Sequence, residues 1–465
     1  MPRKFFPFAV FILAVLACAV PSTSIEPTAP PVDEVQTMVA GTLTASAPHD
    51  LPTATQPPPT EPAAATAVAT DTPVPVSPTA TLAPPSALCP LAIADGPTVL
   101  CLDGPNEFQI ADAGSGNSVY RVAVSPDGGR VAFIAARPDT ISELWVVNAD
   151  GTNPRKLAGP EQLVGSDPTV ANWPRAIQWQ AGTHNLFFDT GFTPAGGPFG
   201  PGEYINSDLW VVNADTGSLS QMLTPGTGGF FSISPDGGWV AVSQPDSIDV
   251  IRADGATVRP DLIRFEPIIT YSEYAYKPLV TWGADSTYFI VSIPSHDPLA
   301  ADAGATLYAV GVDGASQTMT TITGTFLFDS FVKPSPDGQW VAYFRNTFDG
   351  TTNHTFLQMA RTDGSAESGG EAPNGAQLHG WSPDSAWVAY SIPDSGLYVS
   401  NTIAVGQPLA EGVQAVKDVV WTNATTVLFT GSVNDHWGLR MTAVGGSLSD
   451  LAGPFTNAMV FDVRR

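Results

Sequence analysis

The residue types that could catalyse a reaction or hold a metal ion are scattered along this chain of 465 residues. None of its six histidines belongs to a His-Glu-x-x-His pair, which places two imidazoles on one helix face to bind zinc. The chain also lacks the Gly-x-Ser-x-Gly turn of serine hydrolases and a Walker-type phosphate loop. From these motifs we predict no catalytic residue, no metal and no cofactor. The histidines are His49, His184, His296, His354, His379 and His436.

Four aspartates recur in similar surroundings and could together form a ring of carboxylates. Each follows Ser-Pro, and in such a turn proline fixes φ while the aspartate accepts a hydrogen bond from the local backbone. We therefore predict that each aspartate stabilises its own turn, with metal binding as the alternative. They are Asp127, Asp236, Asp337 and Asp384.

Residues 1–18 have the parts of an export signal: a short basic start, an apolar run over residues 5–16, and small residues after it. The apolar run is too short to span a membrane. The tetrapeptide Val15-Leu16-Ala17-Cys18 resembles the lipobox of bacterial lipoproteins. The resemblance implies acylation of Cys18; cleavage after Ala17 or Ala19 by an ordinary signal peptidase, which gives a secreted or periplasmic protein, is the alternative.

The chain has three cysteines, Cys18, Cys89 and Cys101. If the first carries lipid, an even pair remains. We predict a disulfide between Cys89 and Cys101, because disulfides persist in exported proteins, and closing this loop would stabilise the fold by roughly 2 to 4 kcal/mol. Two buried free thiols are the alternative.

Residues 19–87 consist mainly of proline, threonine, alanine, valine and serine, as in PTATQPPPTEPAAATAVATDTPVPVSPTATLAPP. This composition offers too little apolar surface to offset the entropy of ordering the backbone. Proline also removes amide donors and favours extended conformations. We predict a disordered linker that spaces a folded domain, residues 88–465, from the cell surface.

The composition of the whole chain favours strands and turns. Charged residues make up 14%, with 19 Lys and Arg together, whereas Gly (43) and Pro (44) are abundant. Long surface helices need many Ala, Leu, Glu, Lys and Arg residues. The formal net charge of -25 would repel a phosphate backbone. We predict an all-β protein that does not bind nucleic acid.

A unit of roughly 40 to 55 residues recurs through the folded part. In its first copy the turn Ser125-Pro126-Asp127-Gly128 ends one strand, and Arg130–Ile134 and Glu143–Asn148 form the next two. A fourth strand ends near Leu157. The later copies contain, in order, Trp179, Ser234–Gly237, Trp282–Asp285, Ser335–Gly338, Trp381–Asp384 and Trp421–Ala424.

Four-stranded units at this period are typical of β-propeller blades. Further strand-like segments lie at both ends, at residues 98–110 and 458–463. We predict that these segments meet in one closing sheet. This predicts seven four-stranded blades, with eight as the alternative if the ends build a separate blade, and six as a further alternative.

The sequence Ser-Pro-Asp-Gly followed by Leu-Trp-Val-Val-Asn-Ala-Asp-Gly resembles the TolB-type, WD-like propeller repeat, which is also found in the propellers of prolyl-oligopeptidase relatives. The resemblance covers roughly residues 98–463 and implies a fold without an activity, because propellers carry many different sites. The chain has no length for a hydrolase domain after the last repeat, so we do not expect the peptidase activity of those relatives.

Two insertions depart from the repeat, and loops on a rigid scaffold often carry binding residues. One is GFTPAGGPFGPGEY at residues 191–204, and the other is FEPIITYSEYAYKP at residues 265–278. Aromatic rings with polar edges suit glycans and peptides. A loop packed over the propeller rim is the alternative. The candidate ligand-binding residues are Phe192, Phe199, Tyr204, Phe265, Tyr271, Tyr274 and Tyr276.

These observations predict a monomeric, non-catalytic propeller that is tethered outside the cytoplasmic membrane by a lipid anchor. Its ligand would be a protein, peptide or glycan. A hydrolase or lyase is the first alternative, because catalytic residues from several blades can meet in the central channel without a local motif. The resemblance to TolB implies a second alternative, a component of envelope assembly.

Overall fold

The computed structural model describes residues 87–464, apart from gaps at residues 139–140, 166–169, 194–203, 272–273, 298–299, 301–302, 325–331, 349–350, 374, 403–405, 456 and 458. The predicted signal peptide with Cys18, the predicted linker up to residue 86, and Phe199 lie outside the described residues. Within them, no helix is long and apolar enough to cross a membrane.

The described residues form antiparallel strands that pair into eight four-stranded sheets and one two-stranded hairpin. Three strands come first: β1 (Leu91–Asp95), β2 (Thr98–Asp103) and β3 (Asn106–Asp112). Blade 1 follows with β4 (Ser118–Val124), β5 (Arg130–Ala136), β6 (Ser142–Asn148) and β7 (Arg155–Ala158). Blade 2 contains β8 (Ala171–Trp179), β9 (Asn185–Thr193), β10 (Leu209–Asn213) and β11 (Leu219–Leu223). Blade 3 contains β12 (Phe230–Ile233), β13 (Trp239–Ser243), β14 (Ser247–Arg252) and β15 (Val258–Arg264).

A hairpin of β16 (Ile269–Tyr271) and β17 (Tyr274–Ala275) precedes blade 4, which contains β18 (Val280–Trp282), β19 (Tyr288–Pro294), β20 (Gly304–Gly311) and β21 (Ser316–Thr323). Blade 5 contains β22 (Val332–Pro334), β23 (Trp340–Phe348), β24 (Asn353–Arg361) and β25 (Glu367–Ala372). Blade 6 contains β26 (Gln377–Trp381), β27 (Val388–Ile392), β28 (Gly396–Ser400) and β29 (Gln407–Glu411). Blade 7 contains β30 (Ala415–Trp421), β31 (Thr426–Val433), β32 (His436–Ala443) and β33 (Ser449–Phe455), and the last strand is β34 (Val460–Val463).

The all-β propeller with four-stranded blades is confirmed, but the preferred count of seven blades is wrong. The terminal strands pair in the order β3-β2-β1-β34 and form an eighth blade. Each of the seven internal repeats already has four strands of its own. The strands at the two ends of the chain therefore complete no internal blade and add a further one.

Blade 8 closes the ring by joining the two ends of the folded domain. Val460–Val463 pairs antiparallel with Leu91–Ala94. The Arg464 N–H donates to Pro90 O at 2.9 Å, and the Cys89 N–H donates to Gly128 O at 2.7 Å. Cys89 and Cys101 form a disulfide with their Cα atoms 5.7 Å apart. The pairing with β34 covers the inner edge of β1, and the completed blade 8 packs against blades 1 and 7.

The hydrophobic core consists of eight layers, one between each pair of neighbouring blades. The second and third strands of the blades are apolar on both faces, as in Arg130–Ala136, where five consecutive residues are buried. A strand that is packed on both faces has a continuous run of apolar residues, whereas a strand with one exposed face alternates apolar and polar residues. The outermost strands, such as Ser316–Thr323, alternate between exposed and partly buried residues.

The ring has two different faces. We call one the turn face; it carries the turns between the first and second and between the third and fourth strands of each blade. Between the described strands, these connections are six residues or shorter. The loop face carries the other connections, which reach 15 residues at 194–208 and 265–279.

Candidate ligand site at the central channel

The first strand of each blade, and β34 in blade 8, is the innermost and borders the central channel. Four of these inner strands end in tryptophan. Each indole N–H donates to a carbonyl on the inner strand of the preceding blade, which joins the backbones of neighbouring blades. The bonds are Trp179 to Ala123 (3.0 Å), Trp282 to Ser232 (3.3 Å), Trp381 to Lys333 (2.7 Å) and Trp421 to Gly380 (3.2 Å).

Side-chain acceptors join two further pairs of inner strands. The Val124 N–H donates to the Asp462 carboxylate at 2.8 Å, between blades 1 and 8. The Ile233 N–H donates to Gln178 Oε1 at 3.1 Å, between blades 3 and 2. Among the described residues, six of the eight junctions between inner strands therefore have a direct hydrogen bond. These bonds fix the wall of the channel.

Four inner strands contain register shifts against the second strand of their blade. A bulge leaves residues unpaired and changes the direction of their side chains. Arg175 lies in the bulge of β8, His379 in that of β26, and Asp418 in that of β30. In β4 the shift lies between Val119 and Arg121. The bulges thus occur at charged or polar positions of the channel wall.

The inner strands carry positive charge in an otherwise acidic chain. They contain two carboxylates, Asp418 and Asp462. Lys277 adds a further cation three residues before β18. The four cations on the inner strands themselves are Arg121, Arg175, Lys333 and Lys417.

Arg121 and Asp418 lie on either side of blade 8, at the edge of the channel. Both residues have solvent-exposed surface. Within the described part of the chain, the Arg121 side chain makes no hydrogen bond or ion pair. Nearby protein atoms partly desolvate the Asp418 carboxyl and so raise its pKa, and the positive charges of Arg121 and Lys417 oppose that rise. Blades 1 and 7 thus bring opposite charges close together across the closing blade.

Blade 2 supplies a second charged group. The Arg175 guanidinium donates to the carboxylate of Asp189, which is 2% exposed, and the Ala176 N–H donates to the same carboxylate at 2.8 Å. Burial raises the pKa of Asp189, while Arg175 and these hydrogen bonds lower it. Arg175 and Lys277 both contact the ring of Phe230, at 5.3 and 5.2 Å from its centroid.

A cavity of about 660 Å³ opens at the turn-face end of the channel. It is lined by His379, Trp381 and Trp421 together with three prolines and Arg464. His379 Nε2 lies 2.8 Å from Ser391 Oγ, and burial together with the charge of Lys333 lowers the pKa of this histidine to about 4. His379 is therefore neutral near pH 7.

The Ser-Pro-Asp turns of the turn face are built from the same hydrogen bonds. In the first, Ser125 Oγ donates to Asp127 at 2.6 Å and accepts the Arg130 N–H at 2.9 Å, and the Gly129 N–H donates to Asp127 at 3.0 Å. The turns at Ser234, Ser335 and Ser382 repeat the serine bonds. The four predicted turn aspartates accept hydrogen bonds from their own turns.

His184 links two of the aspartates on the turn face. Its Nε2 lies 2.9 Å from Asp127, and its Nδ1 lies 2.7 Å from Asp215. Hydrogen bonds to the carboxylates of Asp215 and Asp127 raise the pKa of His184, although burial lowers it. Desolvation raises the pKa of Asp127, but the bonds from Ser125, Gly129 and His184 outweigh it and lower that pKa. Within the described part of the chain, no three His, Cys, Asp or Glu residues are placed to hold a metal ion.

The first predicted aromatic loop lies on the loop face. Phe192 belongs to β9, and its ring contacts Tyr204 edge-on with 5.7 Å between centroids. The Phe192 N–H also donates to Tyr204 O at 3.1 Å. Both side chains are half-buried. The two residues therefore form the base of this loop, while Phe199 lies outside the described residues.

The second predicted loop also lies on the loop face, between blades 3 and 4. Tyr276 is 6% exposed, and its hydroxyl donates to Ser292 O at 3.3 Å. Phe265 is half-buried against the core layer between these blades. Tyr271 and Tyr274 pair through their backbones in the hairpin. Of the predicted aromatic residues, Tyr276 and Phe265 thus pack against the propeller, as the alternative of a loop covering the rim predicts.

No family model matches the chain, and no curated protein matches it. Solved structures that are similar include the tricorn protease (10% identity, TM-score 0.35), the Porphyromonas gingivalis dipeptidyl peptidase 4 (12%, 0.47) and TolB from Acinetobacter baumannii (16%, 0.30). The matches cover 77%, 72% and 61% of this chain and 42%, 53% and 63% of those chains. This chain therefore spans less than two thirds of the length of each of these proteins. The likeness concerns the propeller fold and extends to no activity.

Analysis of the sequence missed the charged residues of the channel. Arg121, Arg175 and Lys417 lie far apart in the chain and share no motif. They do share a place in the repeat, three or four residues before the end of the inner strand. With few Lys and Arg residues in the chain, their recurrence just upstream of the turn motif was the signal that could have identified them.

Proposed function

We propose that this protein is a non-catalytic binding propeller, displayed outside the cytoplasmic membrane through acylated Cys18, and that it recognises a protein, peptide or glycan with its loop face. The observation that carries the proposal is the difference between the two faces. Connections on the loop face reach 15 residues, and those on the turn face do not exceed six between the described strands. Long loops on a rigid scaffold are the usual place for recognition.

The hydrogen bonding of the turn face supports the same assignment. Its four Ser-Pro-Asp aspartates are engaged by their own turns. On the inner strands that border the channel, by contrast, the charged side chains of Arg121 and Lys417 are exposed. Exposed charges around a concave opening are suited to contact a ligand.

Two exposed leucines on opposite faces provide a matched test of the binding face. Leu279 is 51% exposed at the loop-face end of β18, and Leu448 is 38% exposed in a turn of the turn face. The purified full chain would be applied to glycan and peptide arrays. We expect Leu279→Glu to reduce binding to the positive spots and Leu448→Glu to leave it unchanged. Loss of binding in Leu448→Glu alone would contradict the proposal, and turnover of a bound glycan or peptide would favour an enzyme.

The tether is tested separately, by intact mass and membrane fractionation of the natively expressed protein. We expect a mass increase of two or three acyl chains with retention in the membrane fraction, and loss of both in Cys18→Ala. An unmodified, soluble wild-type protein would contradict the proposed lipid anchor. The array experiment would still test the proposed binding face independently.

A further inference from the structure

Cationic side chains from blades 7, 1 and 2 lie along the channel. Lys417 and Arg121 are on the inner strands on either side of blade 8, and both are exposed. Arg121 follows Tyr120, whose hydroxyl donates to Pro174 O at 3.1 Å, and Pro174 directly precedes Arg175. We call Lys417, Arg121 and Arg175 the charged arc.

Packing within the protein does not account for this arrangement. Like charges that are gathered in one place repel one another and cost folding free energy. Asp189 pairs with Arg175, and Asp418 lies near Arg121 and Lys417. Among the described residues, no group forms a hydrogen bond or ion pair with the exposed Arg121 side chain, so its guanidinium is available to a ligand.

We propose that Lys417, Arg121 and Arg175 form an anion-binding site in the central channel, which takes a ligand presenting several carboxylate or phosphate oxygens. This inference rests on the proposed binding function and gives the chemistry of its ligand. Guanidinium groups bind the paired oxygens of either anion with charge-assisted hydrogen bonds, and ammonium groups bind them as point charges.

The charge distribution of the whole molecule supports one direction of approach. The net charge is -25, and the turn face carries the aspartates of the Ser-Pro-Asp turns. An anion is therefore repelled from the turn face and attracted to the cations of the channel wall. Such fields accelerate association at low ionic strength and are screened by salt.

Isothermal titration of the purified full chain with citrate, and separately with tripolyphosphate, tests the site. At low salt we expect saturable binding of at least one of them, weakened by added KCl. Arg121→Ala should raise the Kd by roughly tenfold, which corresponds to the loss of one charge-assisted contact. Arg121→Lys should retain most of the affinity. Tighter binding of citrate would identify carboxylate as the preferred group, and tighter binding of tripolyphosphate would identify phosphate.

Arg252→Ala is the matched control, because it removes the same charge from the turn-face end of β14, where Arg252 pairs with Asp254. We expect its Kd to stay within about twofold of wild type. Absence of binding to both anions, or equal weakening in Arg252→Ala and Arg121→Ala, would overturn the inference. If neither anion binds while Leu279→Glu still abolishes array binding, the proposed binding function is retained and the proposed anion-binding site is rejected.

Discussion

The turn face and the channel wall of this propeller are built from different kinds of contact. On the turn face, the serine and aspartate side chains of each Ser-Pro-Asp turn bond within that turn, as Ser125 and Asp127 do. In the channel wall, Arg121, Arg175 and Lys417 come from three different blades and bulged strands. The turn side chains therefore bond to near neighbours in the sequence, whereas the charged arc forms only after the ring has closed.

This difference separates stability from recognition. Substitutions in the local turns should change the free energy of unfolding and leave binding intact. Substitutions at the exposed charges of the channel wall should weaken binding and leave the free energy of unfolding unchanged. Substitutions at the turn-face ends of the inner strands should lower the free energy of unfolding most, because the residues there join neighbouring blades.

The largest effect is expected for Trp179→Ala. Trp179 is 8% exposed in the layer between blades 1 and 2, and its indole donates to Ala123 O. Truncation leaves a cavity and an unpaired carbonyl, so the free energy of unfolding should fall by about 3 to 5 kcal/mol, measured by urea denaturation. Trp179→Phe retains most of the packing and should lose about 1 kcal/mol. A loss below 1 kcal/mol in Trp179→Ala would show that the inner-strand bonds do not hold the ring together.

A smaller effect is expected for Ser335→Ala on the turn face. Ser335 is fully buried; its Oγ donates to Asp337 at 2.5 Å and accepts the Trp340 N–H at 3.0 Å. Loss of both bonds should lower the free energy of unfolding by about 1 to 2 kcal/mol without changing citrate affinity. Ser316→Ala, at an exposed position of β21, is the control and should have little effect. A change in citrate affinity in Ser335→Ala would break the separation between the two regions.

The smallest effect is expected for His184, and it depends on pH. Its pKa is raised above 6.5 in the folded state by Asp215 and Asp127. The stabilisation is therefore fully present below the unfolded pKa and is lost as the pH rises through the folded pKa. His184→Ala should thus destabilise the protein by less than about 1 kcal/mol at pH 5.5, and by less still at pH 8.5. Exposed His436→Ala is the control. A greater destabilisation at the higher pH would contradict the assigned contacts.

The sequence predicted the structure well where the contacts are local. Ser-Pro-Asp-Gly indicates a turn because proline, aspartate and glycine each suit a position within four residues. The apolar runs on either side of that turn, such as Arg130–Ile134, indicate strands buried on both faces. Repetition of this pattern was enough to predict four-stranded propeller blades.

Features that depend on distant residues were predicted less well. The count of seven was wrong because blade 8 forms only when Val460–Val463 pairs with Leu91–Ala94, across the whole domain. The charged arc was missed because Arg121 and Lys417 are neighbours only in the closed ring. The two aromatic loops were predicted to bind a ligand because of their composition, but Tyr276 is buried.

Hydrogen–deuterium exchange of the full chain, with and without whichever of citrate and tripolyphosphate binds more tightly, tests whether the central channel is the recognition surface. We expect slower exchange in β4, β8 and β30 around Arg121, Arg175 and Lys417, with no change in the turns at Asp127 and Asp337. Protection confined to the turns of the turn face, or no protection at a saturating concentration of that anion, would contradict this assignment.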